Sequence, residues 1–119
     1  MKISDAAITY AIEELGVKHL IVLGHYGCPG IARAIASASK SSWKISSFSK
    51  WIKPIVEFYK RQRRVEVVKF RDSRMPRRGL PNGVTEAPKA DEEGFRALVE
   101  ENVKETVKAL KTQSILAQV

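Results

Sequence analysis

The sequence predicts an α/β fold, mostly helical, built around one central parallel strand at residues 19–24. Three observations lead to that class. The stretch His19, Leu20, Ile21, Val22, Leu23 is apolar after its first residue and does not alternate, the pattern of a strand covered on both faces. Apolar residues at helical spacing flank it on either side, in residues 8–15 and 31–38. Between strand and second helix lies a short glycine-containing loop. It stands at the carboxyl end of the strand, where doubly wound sheets gather their ligands.

The elements follow in order. Ser4 and Asp5 read as a helix start, a capping hydroxyl followed by an acid that favours the first turn. Ile8, Ala11, Ile12 and Leu15 then mark one buried face, and Gly16 stands where a left-handed residue closes the helix. After the strand, Gly24, His25, Tyr26, Gly27 and Cys28 form the loop, and Pro29 opens the next helix, whose stripe is Ile31, Ala34, Ile35 and Ala38. A Ser/Lys-rich linker over 37–47 leads to a third helix with Phe48, Trp51, Ile52, Ile55, Val56 and Tyr59 on one side. Pro54 predicts a start near Lys53 or a kink there. Residues 65–68 (Val, Glu, Val, Val) read as a short strand, and residues 71–88, with prolines at 76, 81 and 88, as a loop. A last helix turns Phe95, Leu98, Val99, Val103, Val107 and Leu110 inward. Acids at 91–93 and lysines at 104, 108 and 111 complement its dipole.

The 119 residues suffice for one core, so a single domain over 1–119 is expected, with 40–90 as a basic linker, helix and loop insertion. An apolar fraction of 44% and a charged fraction of 29% exclude a wholly disordered chain. No apolar run approaches the ~20 residues that span a bilayer, so no membrane association is expected. The first residues lack an apolar signal core, and the single cysteine cannot form an internal disulfide. The expected compartment is therefore reducing and cytoplasmic, with a mitochondrial location left open. Charge is concentrated: residues 40–78 hold 13 Lys/Arg against Glu57, Glu66 and Asp72, while the rest holds 8 basic and 10 acidic residues. Two readings stay open for that segment. One is a solvated basic face. The other is a catalytically inactive domain binding nucleic acid or an acidic partner, with Trp43, Trp51 and Tyr59 as stacking surfaces.

His25 and Cys28 are the residues with chemistry. An imidazole and a thiol three residues apart in one tight loop can reach a single tetrahedral zinc, at ~2.0–2.3 Å each. The alternative at this level is a capping loop with an incidental thiol.

The sequence around that pair closely resembles the β-class carbonic anhydrases. Their pattern is a helix ending in L-G-V, an apolar strand, then G-H-x-x-C-G. It is matched here by Leu15, Gly16 and Val17, residues 19–23, and Gly24, His25 and Cys28. Residues 95–104 resemble the family's E-N-V helix through Glu101, Asn102 and Val103, and residues 51–55 resemble the W-I-x-P-I stretch of some fungal-type members. The resemblance implies a zinc protein that interconverts carbon dioxide and bicarbonate and assembles as a dimer. In the family, two cysteines and a histidine hold the metal, a water or an aspartate takes the fourth position, and an Asp-Arg pair controls that position. His25 and Cys28 match two of the three protein ligands.

Three departures accompany the resemblance. Pro29 stands where a glycine usually follows the last cysteine. The family's C-x-D-S-R segment, which supplies the other thiolate and the Asp-Arg pair, does not precede the first helix here, so the chain is expected to be incomplete at both ends with activity reduced or lost. Residues 67–76 resemble that segment with Phe70 in the cysteine's place, which makes Asp72 and Arg74 candidates for a permuted pair. A chance D-S-R in a basic loop is the competing reading.

Overall fold

A computed structural model describes residues 3–39, 47–75 and 83–112, with side chains from 6 and from 50 onward in the first two stretches. The described residues form five helices: α1 (Ile3–Glu13), α2 (Pro29–Ala38), α3 (Ser47–Arg61), α4 (Val65–Ser73) and α5 (Glu93–Lys111). They divide into two compact units, residues 24–102 and the remainder at either end. No described helix is long and apolar enough to cross a membrane.

In the 24–102 unit, Pro29 occupies the first turn of α2, where its missing N–H costs nothing and its fixed φ suits the helix. The stripe then buries Ile31, Ala34 and Ile35, with Ala36 beside them. Helix α3 packs against α2 and contributes Ile52, Val56, Phe58 and Tyr59. It runs through Pro54 without a break, and the exposed proline ring faces away from the core. Trp51, expected on the apolar face, is 63% exposed, because Ile52, Val56 and Tyr59 already fill that side. The side chain of Phe48 and the whole of Trp43 lie outside the described residues. The main core joins Ile31 and Ile35 to Phe58, Tyr59, Val67, Phe95, Ala97, Leu98 and Val99. Each fully buried Leu, Ile, Val or Phe there contributes about 1.5–3 kcal/mol relative to an exposed one.

Residues 65–68 form the first turn of α4 and not a strand. Two features override their β-branched composition. Glu66 lies in the first turn, where the helix dipole favours an acid. Arg71, one turn on, donates through Nη1 to the carbonyls of Tyr59 and Gln62, both at 2.8 Å. The Tyr59 carbonyl, in the last turn of α3, also accepts the Gln62 amide at 3.4 Å, and Gln62 lies just past that helix, so Arg71 adds a side-chain donor from α4 to the end of α3. The loop expected from residue 71 accordingly begins only after Arg74, and residues 76–82 lie outside the described residues.

In the other unit, α1 ends as expected. Gly16 takes φ +66, and the amides of Glu14 and Leu15 return to the Tyr10 carbonyl at 2.9 and 3.2 Å. Ile8, Ala11 and Ile12 are half-buried, whereas Leu15 is exposed. The parallel strand expected at 19–24 is not formed. Among the described residues no strand occurs, and Ile21 and Leu23 are 78% and 88% exposed. A strand is defined by the neighbour that takes its N–H and C=O groups, and the described residues offer this segment none. Of the α/β expectation, the described residues keep the mostly helical part, with the apolar segment 19–24 in neither helix nor strand.

Candidate metal centre

Residues 24–28 lead straight into α2, and Cys28 is its N-cap residue. Its carbonyl accepts the Ala32 amide at 2.9 Å, and its half-buried thiol packs against the main core. His25 stands at the start of the same turn and is exposed. Between them, Gly27 has φ +70, a left-handed conformation that glycine adopts without penalty. A Cβ at Gly27 would also lie 3.2 Å from that of Ala90. The turn is thus shaped by its own glycine and seated against the segment that precedes α5.

Tyr26 is the anchor of the turn. Its hydroxyl donates to Glu100 Oε2 at 2.5 Å, joining residues 74 positions apart, and Arg96 lies 4.4 Å over its ring. Arg96 and Glu100 are four residues apart on one face of α5, so both reach the same aromatic side chain. Glu100 Oε1 accepts from Arg64 Nη1 at 2.8 Å, and Arg64 Nε donates to Glu66 Oε2 at 3.0 Å. The Tyr26 hydrogen bond and then Arg64 hold the Glu100 carboxyl below its ordinary range. Glu66 is lowered as well, first by its own backbone amide and then by Arg64. Sequence reasoning missed Tyr26, Arg64, Arg96 and Glu100. The four-residue spacing of Arg96 and Glu100 was the one local signal.

The structure places Asp72 and Arg74 apart in role. Asp72 is exposed near the end of α4, where its carbonyl accepts the Met75 amide. Arg74 is 6% exposed, and its Nη2 donates to the Val84 carbonyl at 3.1 Å and to the Glu86 carbonyl. Its guanidinium also stacks 5.4 Å over Phe70, and its own carbonyl accepts the Val84 amide at 3.0 Å. Arg74 therefore fastens residues 84–86 to the end of α4. Of the basic 40–78 segment, Arg64, Arg71 and Arg74 are committed to partners inside the protein, while Lys53, Lys60, Arg63 and Lys69 are exposed.

An imidazole nitrogen and a thiol sulfur on one turn suit zinc in donor chemistry, but they fill only half of a tetrahedral shell. Among the described residues no group of three or more His, Cys, Asp or Glu side chains is placed to hold a metal ion.

Comparison with known proteins bears on this turn. The carbonic anhydrase family model matches residues 2–119. A carbonic anhydrase of Emericella nidulans is 26% identical over 115 residues, 97% of this chain and 40% of the relative. The chain thus spans less than half the length of that relative. No solved structure matches it. A family match across almost the whole chain, with the G-H-x-x-C turn entering a helix as described, places this protein in the β-carbonic anhydrase family.

Proposed function

We propose that this chain is a zinc-binding member of its family that takes part in the reversible hydration of carbon dioxide to bicarbonate, with His25 and Cys28 as its metal ligands. The observation that carries the reading is the position of these two donors on a single anchored turn at the mouth of α2. Zinc, when bound, activates water for attack on carbon dioxide at neutral pH. Cys28 would offer its sulfur from a helix start that fixes the backbone, and His25 its imidazole from the solvent side of the same turn. Water or a neighbouring copy of the chain would complete the shell, which is where a dimer would enter.

Turnover by these 119 residues alone is expected to be far below that of a member with a full ligand set. There is one thiol in the sequence, and Arg74, the arginine of the D-S-R stretch, is engaged by the Val84 and Glu86 carbonyls. Among the described residues no third ligand joins His25 and Cys28, so the coordination geometry on which such chemistry depends is only half supplied. Equilibrium dialysis with zinc tests the ligand assignment: Cys28→Ser and His25→Ala should each remove most of the binding. Stoichiometric zinc retained by Cys28→Ser would overturn it. Stopped-flow hydration with added zinc tests the second part, and a rate matching a complete family member would refute the expected loss.

A further inference from the structure

The contacts around the 24–28 turn carry a role for a residue outside the ligand pair. Tyr26 stands between His25 and Cys28; two side chains of α5 meet it, and Arg64 holds one of them in turn. Glu100 accepts its hydroxyl at 2.5 Å, Arg96 covers its ring at 4.4 Å, and Arg64 holds the far oxygen of Glu100 at 2.8 Å. On its other side the turn is confined by Gly27, which lies against Ala90. His25 is exposed, so burial of its own side chain does not restrain it. Cys28 is held at the start of α2 and against the core, but with Gly27 left-handed and glycine freely flexible the His25 end of the turn needs a further tie, and the Tyr26 hydrogen bond supplies one.

We infer that Tyr26 is a positioning residue: its hydrogen bond to Glu100 fixes the turn so that His25 and Cys28 present their donor atoms together. The functional meaning rests on the proposed metal site, but the first readout below does not. A two-ligand site gains most from such a restraint, because any freedom of the turn must be lost again on binding. Glu100 is ionised under ordinary conditions, and hydrogen bonds to charged groups are about twice as strong as neutral ones.

Cys28 is the sole cysteine, so alkylation of the whole protein by iodoacetamide, followed by mass, reports on this turn alone. In metal-free protein, Tyr26→Phe keeps the ring under Arg96 and removes only the hydroxyl. It should raise the Cys28 alkylation rate about tenfold, the scale of a charged hydrogen bond. Glu100→Ala should do the same, and the double variant should add little, since both remove one interaction. Glu100→Gln keeps an acceptor and should restore most of the protection. Val56→Ala, which loosens a core cluster not touching the turn, should lower stability and leave the rate unchanged. Cobalt titration then asks about the ligands: Tyr26→Phe should weaken cobalt binding about tenfold, with loss of thiolate-to-metal absorbance. Alkylation within twofold of the unaltered protein in both Tyr26→Phe and Glu100→Ala overturns the inference, as does an equal rise in Val56→Ala. Failure of the unaltered protein to bind cobalt would instead refute the metal site, with the alkylation series still deciding the role of Tyr26.

Discussion

At the scale of single residues, Tyr59 shows how one atom can stand against its surroundings. Its ring is buried at the centre of the main core, yet its hydroxyl has no hydrogen-bond partner among the described residues. Burial pushes its pKa from 10.0 up to about 12, against the pull of Arg74 and Arg71. A group whose folded value is raised stabilises the fold fully below its unfolded value and loses that contribution as pH climbs through the folded one. Alkaline destabilisation between pH 10 and about 12 is therefore expected, with one tyrosine titrating late in absorbance. Tyr59→Phe should abolish the late step. It should also leave stability unchanged or slightly higher, because it deletes a buried polar atom that nothing satisfies. A loss above about 2 kcal/mol would show that the hydroxyl has a partner after all. The site was legible at this scale only in part. His25 and Cys28 became candidates through their three-residue spacing together with the family resemblance of the residues around them. Tyr26 did not, because its partners lie 70 and 74 positions away and no local pattern records such a contact.

At the scale of elements, α4 and α5 come close together at Gly94 and Phe70. A Cβ at Gly94 would stand 2.1 Å from Cβ of Phe70 and 2.3 Å from its Cγ. Carbon atoms need about 3.5–4.0 Å, so the helices can meet here only through glycine. In an open helix, Gly→Ala gains about 1 kcal/mol from propensity. Here the sign reverses: Gly94→Ala should cost about 1–3 kcal/mol in chemical denaturation, as other overpacked sites do. Phe70→Ala should not rescue it, since the Cβ remains. The same scale explains which elements the sequence foretold. The start of α2 at Pro29, the closing Gly16 and the inward face of α5 through Phe95, Leu98 and Val99 follow from local spacing, and the structure keeps them. Residues 19–24 and 65–68 share a β-branched, apolar composition, and neither forms a strand. Composition names a preference for an extended chain, but a ladder needs a partner, and for 65–68 the helical form instead brings Arg71 onto the Tyr59 and Gln62 carbonyls at the end of α3.

At the scale of the whole molecule, charge is less free than the composition implies. Arg64 is held by Glu66 and Glu100, both carboxyls lying below their ordinary 4.5. Groups lowered in this way stabilise the fold above their unfolded values and lose that contribution as pH falls through the folded ones. The denaturation midpoint should therefore drop on going from about pH 5 to about pH 3. The drop should be smaller in Glu100→Gln, which has no carboxyl at that position left to protonate and keeps only that of Glu66 beside Arg64. An identical drop in both proteins would remove this network from the acid response. The largely exposed segment 20–23 carries a different consequence, one for handling rather than for folding. Leu, Ile, Val and Leu in succession, uncharged and without proline, present an apolar surface in which Leu20, Ile21 and Leu23 are exposed. Such segments seed fibrils, and natural sequences restrain them with flanking charges, of which Lys18 is the nearest here. The chain's colloidal lifetime is thus expected to shorten steeply with concentration. Thioflavin fluorescence should rise in concentrated stocks, and Ile21→Lys, which alters a side chain already 78% exposed, should suppress it while leaving the thermal midpoint nearly unmoved.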